Sequence, residues 1–227
     1  PSAGPTAAAE AVSTARALAS PDGGVASAAP LPSGLPSGYQ WPLDHGRITS
    51  WFGPLPSQPY LVNGKSFHDG IDIASFCGDH VLAAHDGTVL VAGRHVDKWF
   101  GWVGGYDAHV ARLDAKNLWG SLPIVVIVDD GNGYRSIYMH LGLAAVKAGD
   151  HVRAGQLIGY EGRTGNATGC HLHYSLFDPS DTAVFETSPA YVTRYALPAA
   201  EVARIDPLLV FPPMATVSVT WGWGARD

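Results

Sequence analysis

Between Tyr39 and Phe177 the chain is divided into short β-prone runs by glycine-rich turns, and this punctuation limits the possible folds most. The runs Ile48–Phe52, Gly70–Ala74, Gly87–Ala92, Ile124–Asp129, Tyr134–Leu141, Gln156–Tyr160 and His171–Phe177 read as strands. Each is rich in β-branched or aromatic residues, which suit a pleated surface. The turns are Asp86–Gly87, Asp130–Gly131–Asn132–Gly133, Ala148–Gly149–Asp150 and the stretch from Gly162 to Gly169. Many short strands with few helical patterns predict an antiparallel β domain.

The flanks differ in composition. Residues 1–38 are mostly Ala, Ser, Pro and Gly, with no aromatic residue and with Glu10, Arg16 and Asp22 as the only charges. Such a stretch cannot bury enough apolar surface to fold alone and is expected to be a linker or stalk, with transient helix over Thr6–Ser20. The domain is expected over 39–212, closed by Leu208–Pro213. Residues 213–227 form a tail with a possible edge strand at Val217–Trp221. Within the domain, residues 94–122 break the strand rhythm with Trp99, Phe100, Trp102, Tyr106 and Trp119. Loops this long are commonly functional, and this one is either a wall of a substrate groove or a packed excursion that extends the core.

The 227 residues suit one domain with appendages, and 46% hydrophobic content supports a substantial core. A net charge of −6 and a pI near 5.9 recommend neither nucleic acid nor an anionic membrane as partner. The longest wholly apolar run, Ile124–Val128, is far short of the roughly twenty residues of a membrane span. The start at Pro1, without Met, points to a processed or trimmed product.

The chemistry is concentrated in two short patterns, His68–Asp69–Gly70–Ile71–Asp72 and His171–Leu172–His173. Together they offer three ligands for a divalent metal and leave one imidazole over. Three protein ligands with an open position is the pattern of a catalytic zinc, whereas a structural site closes with four. On strands, side chains two apart share a face, so His171 pairs with His173, and His68 with Asp72. Gly70 lies between His68 and Asp72, where a side chain is expected to crowd the metal. In Tyr134–Leu141, alternation places Tyr134, Ser136, Tyr138 and His140 on one polar face, and Ile137, Met139 and Leu141 on the core side. His140 then projects near a strand end, a suitable place for an active-site base. The remaining histidines, His45, His80, His85, His95, His109 and His151, are assigned to the surface or to satisfied core positions.

Cys77 and Cys170 are the only cysteines, one near each pattern. If the patterns converge on one metal, the thiols come together and a disulfide is favoured, implying an oxidising compartment. It would close a loop of nearly a hundred residues, worth on the order of 4 kcal/mol. Two free buried thiols, or Cys170 as a fourth ligand, are the alternatives.

The chain resembles the lysostaphin-like, LytM-type zinc endopeptidases that cut peptidoglycan peptides. The resemblance runs through Phe67–Ala74, Ala83–Val89, Asp130–Tyr134, Tyr138–Leu141, Lys147–Asp150, Gly155–Gln156 and Gly162–Tyr174, over roughly residues 40–212. It implies a mainly β fold, with an antiparallel sheet core under a metal-bearing groove. Ala148–Tyr160 is similar to half of a lipoyl-carrier hairpin, but no Lys occupies its tip. The resemblance further implies one zinc ion on His68, Asp72 and His173, with His140 and His171 handling the proton and the developing charge. Zinc lowers the pKa of a bound water to about 7 and polarises a carbonyl, and a neutral imidazole can then take the water proton. The second imidazole can stabilise the oxyanion. His171, two residues from a ligand, is favoured as the base. Tyr60, eight residues before His68, and Trp102 are candidate substrate contacts.

Two departures stand out: Cys170 replaces the proline common before the H-x-H pair, and segment 94–122 replaces a short hairpin. The implied activity is hydrolysis of peptide cross-links in bacterial peptidoglycan by a secreted, periplasmic or cell-wall-associated protein. A catalytically silent module that binds the cell wall or regulates a cell-wall amidase, and a purely structural zinc domain, are the competing readings. Oligomeric state is not specified.

Overall fold

The structure, a computed structural model, describes residues 35–94, 98–103 and 106–213. The expected helix at Thr6–Ser20 and edge strand at Val217–Trp221 lie outside the described residues, as do His95 and residues 1–34 of the linker. Fifteen strands are present: β1 (Arg47–Ser50), β2 (Gly53–Pro54), β3 (Tyr60–Val62), β4 (Lys65–His68), β5 (Ile71–Ala74), β6 (His80–Leu82), β7 (Gly87–Gly93), β8 (Ile124–Asp129), β9 (Arg135–Leu141), β10 (Leu143–Ala144), β11 (His151–Val152), β12 (Leu157–Tyr160), β13 (Leu172–Phe177), β14 (Val184–Thr187) and β15 (Ala200–Val202). Two α-helices join them, α1 (Tyr106–Lys116) and α2 (Pro189–Tyr195), all counted among the described residues. The protein is therefore mainly β, with antiparallel pairing at every strand contact.

The main sheet has seven strands in the order β1-β5-β13-β9-β8-β7-β11, and sheets of three and five strands flank it. All seven strands expected from the sequence form. The main sheet is apolar on both faces, so neither face shows a solvent-side alternation. One face carries Ile71, Ile73, Leu172, Tyr174, Leu176, Tyr138, Val126 and Val128. The other carries Phe177, Ile137, Val125, Ile127 and Val91, covered by Phe100 with Trp99 and Trp102 packed against it. The insertion is thus a packed excursion over the second face.

Its helix was not expected. Ala, Leu, Arg and Lys favour helix in Tyr106–Lys116, Asp107 lies at its positive end and Lys116 at its negative end. Asn117, at φ +51°, ends it in a left-handed turn. Its buried edge sets Leu113 and Val110 against Leu118, Leu122, Trp102 and Trp119.

The polar face expected in β9 needs correction. Ser136 and Tyr138 are fully buried, and Tyr138 packs edge-on against Tyr174 at 5.2 Å between ring centres. His140 leaves that face. The ladder pairs Val126 with Tyr138 but Ile124 with Leu141, so β9 holds one extra residue there. His140 has φ +67° at this bulge, which returns Leu141 to the Tyr138 side and turns the imidazole away.

Cys77 and Cys170 form a disulfide, 93 residues apart in sequence with their Cα atoms 5.4 Å apart. It joins the loop after β5 to the loop before β13, so the two motif-bearing strands are linked covalently as well as by their ladder.

Candidate active site

Register assembles the site. In the central ladder His173 pairs with Asp72 on one side and with Met139 on the other, and paired residues share a face. His68 ends β4, one short turn before β5 begins. His68 Nε2 lies 3.1 Å from Asp72 Oδ1 and 3.1 Å from His173 Nδ1, and His173 Nδ1 lies 2.9 Å from Asp72 Oδ1. Among the described residues, His68, Asp72 and His173 are the one group of three or more ligand-type side chains close enough to share a metal ion. Their spacing is near the ~3.3 Å edge of a tetrahedron with ~2.0 Å metal–nitrogen bonds, and a His₂Asp donor set suits zinc.

The outer nitrogens fix both rings. The Nδ1 of His68 is 3.0 Å from the carbonyl of Trp51, which can only accept, so Nδ1 carries the proton and Nε2 presents its lone pair. His173 is reversed. Its Nε2 meets Ser175 Oγ at 2.8 Å and Asp69 Oδ1 at 3.4 Å, leaving Nδ1 for the metal side. Such outer partners orient ligating imidazoles. The sequence reading missed Ser175 and Asp69, yet alternation from His173 points to Ser175. Gly70 also acts differently from expectation. A side chain there would collide with Tyr174 O, Ser175 Oγ and His173 Nε2, so glycine keeps the outer side of His173 open rather than the metal side.

Burial alone would raise the Asp72 carboxyl, but the adjoining His173 and His68 imidazoles hold it well below the usual carboxylate range. Burial likewise favours neutral His173, yet Asp69 and Asp72 push it up to about 10. An imidazole flanked by two carboxylates is a strong place for a cation.

His140 and His171 stand beside this triangle, their ring centres 4.7 Å apart, with His140 6.1 Å from His173. His140 Nδ1 is 2.8 Å from the carbonyl of Thr164, so it donates there and Nε2 is left with a lone pair. Burial, then the neighbouring His173 and His171, lower His140 to about 4, so it is neutral at pH 7. His171 Nδ1 is held 3.0 Å from the Gly169 carbonyl, and its Nε2 lies 3.8 Å from Asp72 Oδ1. Both rings are therefore held from behind by loop carbonyls of residues 164–169.

The two candidate substrate contacts fare differently. Tyr60 is 8% exposed and sits in the core with its hydroxyl toward Glu201, so it presents no surface to a substrate. Its ring is drawn in because β3 pairs Tyr60 with the buried Phe67. Trp102 is half-buried, stacked on Phe100 at 5.0 Å and edge-on to His109 at 4.7 Å. Among the other histidines, His109 is buried with Nδ1 against the Ala196 carbonyl, His45 pairs with Asp79 at 2.9 Å and His85 lies on Tyr39.

Residues 66–184, just over half the chain, match Peptidase family M23. The chain belongs to that family. Relatives include the Peptidoglycan DD-endopeptidase ShyA of Vibrio cholerae, 33% identical over 60% of this chain and 26% of that protein. The DD-carboxypeptidase/endopeptidase Mpg of Neisseria meningitidis is 32% identical over 73% of this chain and 30% of its own length. The Glycyl-glycine endopeptidase ALE-1 of Staphylococcus capitis is 33% identical over 54% of this chain and 27% of its own length. The chain thus spans less than a third of the length of these curated relatives. Among solved structures, the catalytic domain of lysostaphin from Staphylococcus simulans aligns over 60% of this chain and 84% of its own, at 28% identity and a TM-score of 0.43. Among the described residues no helix is long and apolar enough to cross a membrane.

Proposed function

We propose that this domain is a zinc endopeptidase acting on the peptide cross-links of bacterial peptidoglycan. The observation that carries the reading is the triangle of His68 Nε2, Asp72 Oδ1 and His173 Nδ1, flanked by two imidazoles that are not needed as ligands. Membership of a peptidase family with peptidoglycan endopeptidases among its relatives supports it. His68, Asp72 and His173 would hold the metal. Bound there, zinc supplies a Lewis acid for a carbonyl and a lowered pKa for water.

The side chains divide the remaining work. His171 has its Nδ1 held by the Gly169 carbonyl and its Nε2 3.8 Å from Asp72 Oδ1, so Nε2 faces the metal side, where it takes the proton of the attacking water and passes it to the leaving amine. His140 takes a different part. The Thr164 carbonyl fixes its proton on Nδ1, so its Nε2 accepts a hydrogen bond and orients the water or a substrate N–H. The disulfide supports an extracytoplasmic location, where such bonds persist.

The test is release of free amino groups from purified peptidoglycan, with chelator and then with zinc restored. Zinc-restorable release is expected. Its absence from a folded, zinc-loaded chain would overturn the endopeptidase reading and favour a silent wall-binding module. The amino acid newly exposed separates a glycine bridge from a D-amino-acid cross-link, since relatives of both kinds are present.

A further inference from the structure

Behind His173, Asp69 is the near end of a buried group of charges whose other members, Glu201 and Arg204, the site chemistry does not use. Asp69, Glu201 and Arg204 are 5%, 1% and 3% exposed. Asp69 Oδ1 faces His173 Nε2 at 3.4 Å, while its Oδ2 lies 3.8 Å from Arg204 Nε. Arg204 Nη2 donates to Glu201 Oε2 at 3.0 Å and to the Phe100 carbonyl at 2.6 Å, and Nη1 donates to the Val202 carbonyl at 2.7 Å. The Glu201 carboxyl borders both Asp69 and the Tyr60 hydroxyl.

Glu201 and Arg204 come from β15 and the turn after it, beyond the residues that match the family. The aromatic insertion covers them: Val202 N donates to the Gly101 carbonyl at 2.7 Å and Trp102 pairs with Glu201, while the guanidinium lies 4.3 Å from the Phe177 ring centre on β13. Buried ion pairs seldom add net stability, because desolvation offsets their attraction. This one ends against the outer nitrogen of a ligand imidazole. Fixing that nitrogen fixes which ring atom faces the metal.

We infer that Glu201 and Arg204 are positioning residues that hold Asp69 against His173 Nε2 and so set the affinity of the site for its metal. The inference rests on His68, Asp72 and His173 binding zinc. It makes the C-terminal segment and the insertion part of the metal site, although neither supplies a ligand.

The experiment is a double-mutant cycle on zinc affinity, measured on the full chain by chelator competition without substrate. Asp69→Asn is expected to weaken zinc binding about 10- to 100-fold, the usual effect of losing an outer-shell partner. Arg204→Lys keeps the charge but loses the planar fork, and about 10-fold weakening is expected. Because Arg204 acts through Asp69, the double variant should bind zinc no more weakly than Asp69→Asn alone. Should Arg204→Lys fail to fold, Glu201→Asp, which draws the carboxyl back by one methylene, takes its place in the cycle. Additive losses, or folded variants with wild-type affinity, would overturn the inference and leave the endopeptidase reading intact. A wild-type chain that binds no zinc would overturn both.

Discussion

At the scale of single residues, the proposed chemistry separates side chains that hold a metal from side chains that move protons. His68→Ala, Asp72→Ala and His173→Ala should each lose zinc in equilibrium dialysis. His140→Ala and His171→Ala should keep zinc and lose about 10²- to 10⁴-fold in hydrolysis, the usual worth of a positioned acid or base. Equal zinc loss in all five would remove that division. A second residue-scale prediction concerns Asp130. Its Oδ2 accepts from Tyr39 at 2.6 Å and Ser136 at 2.8 Å, while Oδ1 is buried without a hydrogen-bond partner. Burial pushes this carboxyl up to about 7, against the opposing hydrogen bonds from Tyr39 and Ser136. An unfolded Asp loses its proton near pH 4, so between about 4 and 7 the folded state binds more protons and stability falls as pH rises. Asp130→Asn cannot ionise, so its Tm relative to wild type should rise from pH 5 to pH 8. Parallel curves would show that the carboxyl ionises normally in the fold. That His68, Asp72 and His173 come together was legible in the two short patterns and the resemblance that they carry, although His68 and Asp72 stand on separate strands joined by Asp69–Gly70. Asp69 lay in plain view inside the first motif, but its partner Arg204 is 135 positions later and no local pattern connects them.

At the scale of elements, the β9 bulge decides where His140 points. Simple alternation put it with Ser136 and Tyr138, since a bulge leaves no signature in an apolar strand. The fold instead holds His140 at φ +67°, a conformation that costs a residue with a Cβ about 1 kcal/mol or more. His140→Gly should therefore be more stable than His140→Ala by about 1 kcal/mol in urea unfolding, the reverse of the usual order in a strand. Equal stabilities would mean that the bulge relaxes once the imidazole is gone. The disulfide makes a second element-scale prediction. Replacing both Cys77 and Cys170 by Ser should lower stability by roughly 2–5 kcal/mol, because the bridge closes a 93-residue separation in the unfolded chain. A loss well under 1 kcal/mol would indicate that pairing of β5 and β13 already supplies the constraint. Helix α1 was missed for a different reason. Its buried residues His109 and Leu113 are too few to give a strong apolar stripe, and the glycines and tryptophans around it suggested a loop.

At the scale of the whole molecule, the sheet is a two-sided layer, and the insertion and C-terminal segment seal the second side. Truncation after Thr187 removes α2, β15 and Arg204 together, although every residue of the family match remains. Such a chain should fail to bind zinc and should expose the Phe177–Ile137 face to a hydrophobic dye. Retention of zinc by a folded truncation would show that the family segment is self-sufficient. The pairing of β5 with β13 has one more consequence, and it concerns time. Its partners are separated by about a hundred residues, and contacts of that span are slow to form because the intervening chain must first be drawn together. During synthesis, His68 and Asp72 emerge long before His173, and Arg204 emerges later still. A growing chain therefore carries scattered histidines and aspartates, and His68, Asp72 and His173 come together only once β13 has paired with β5.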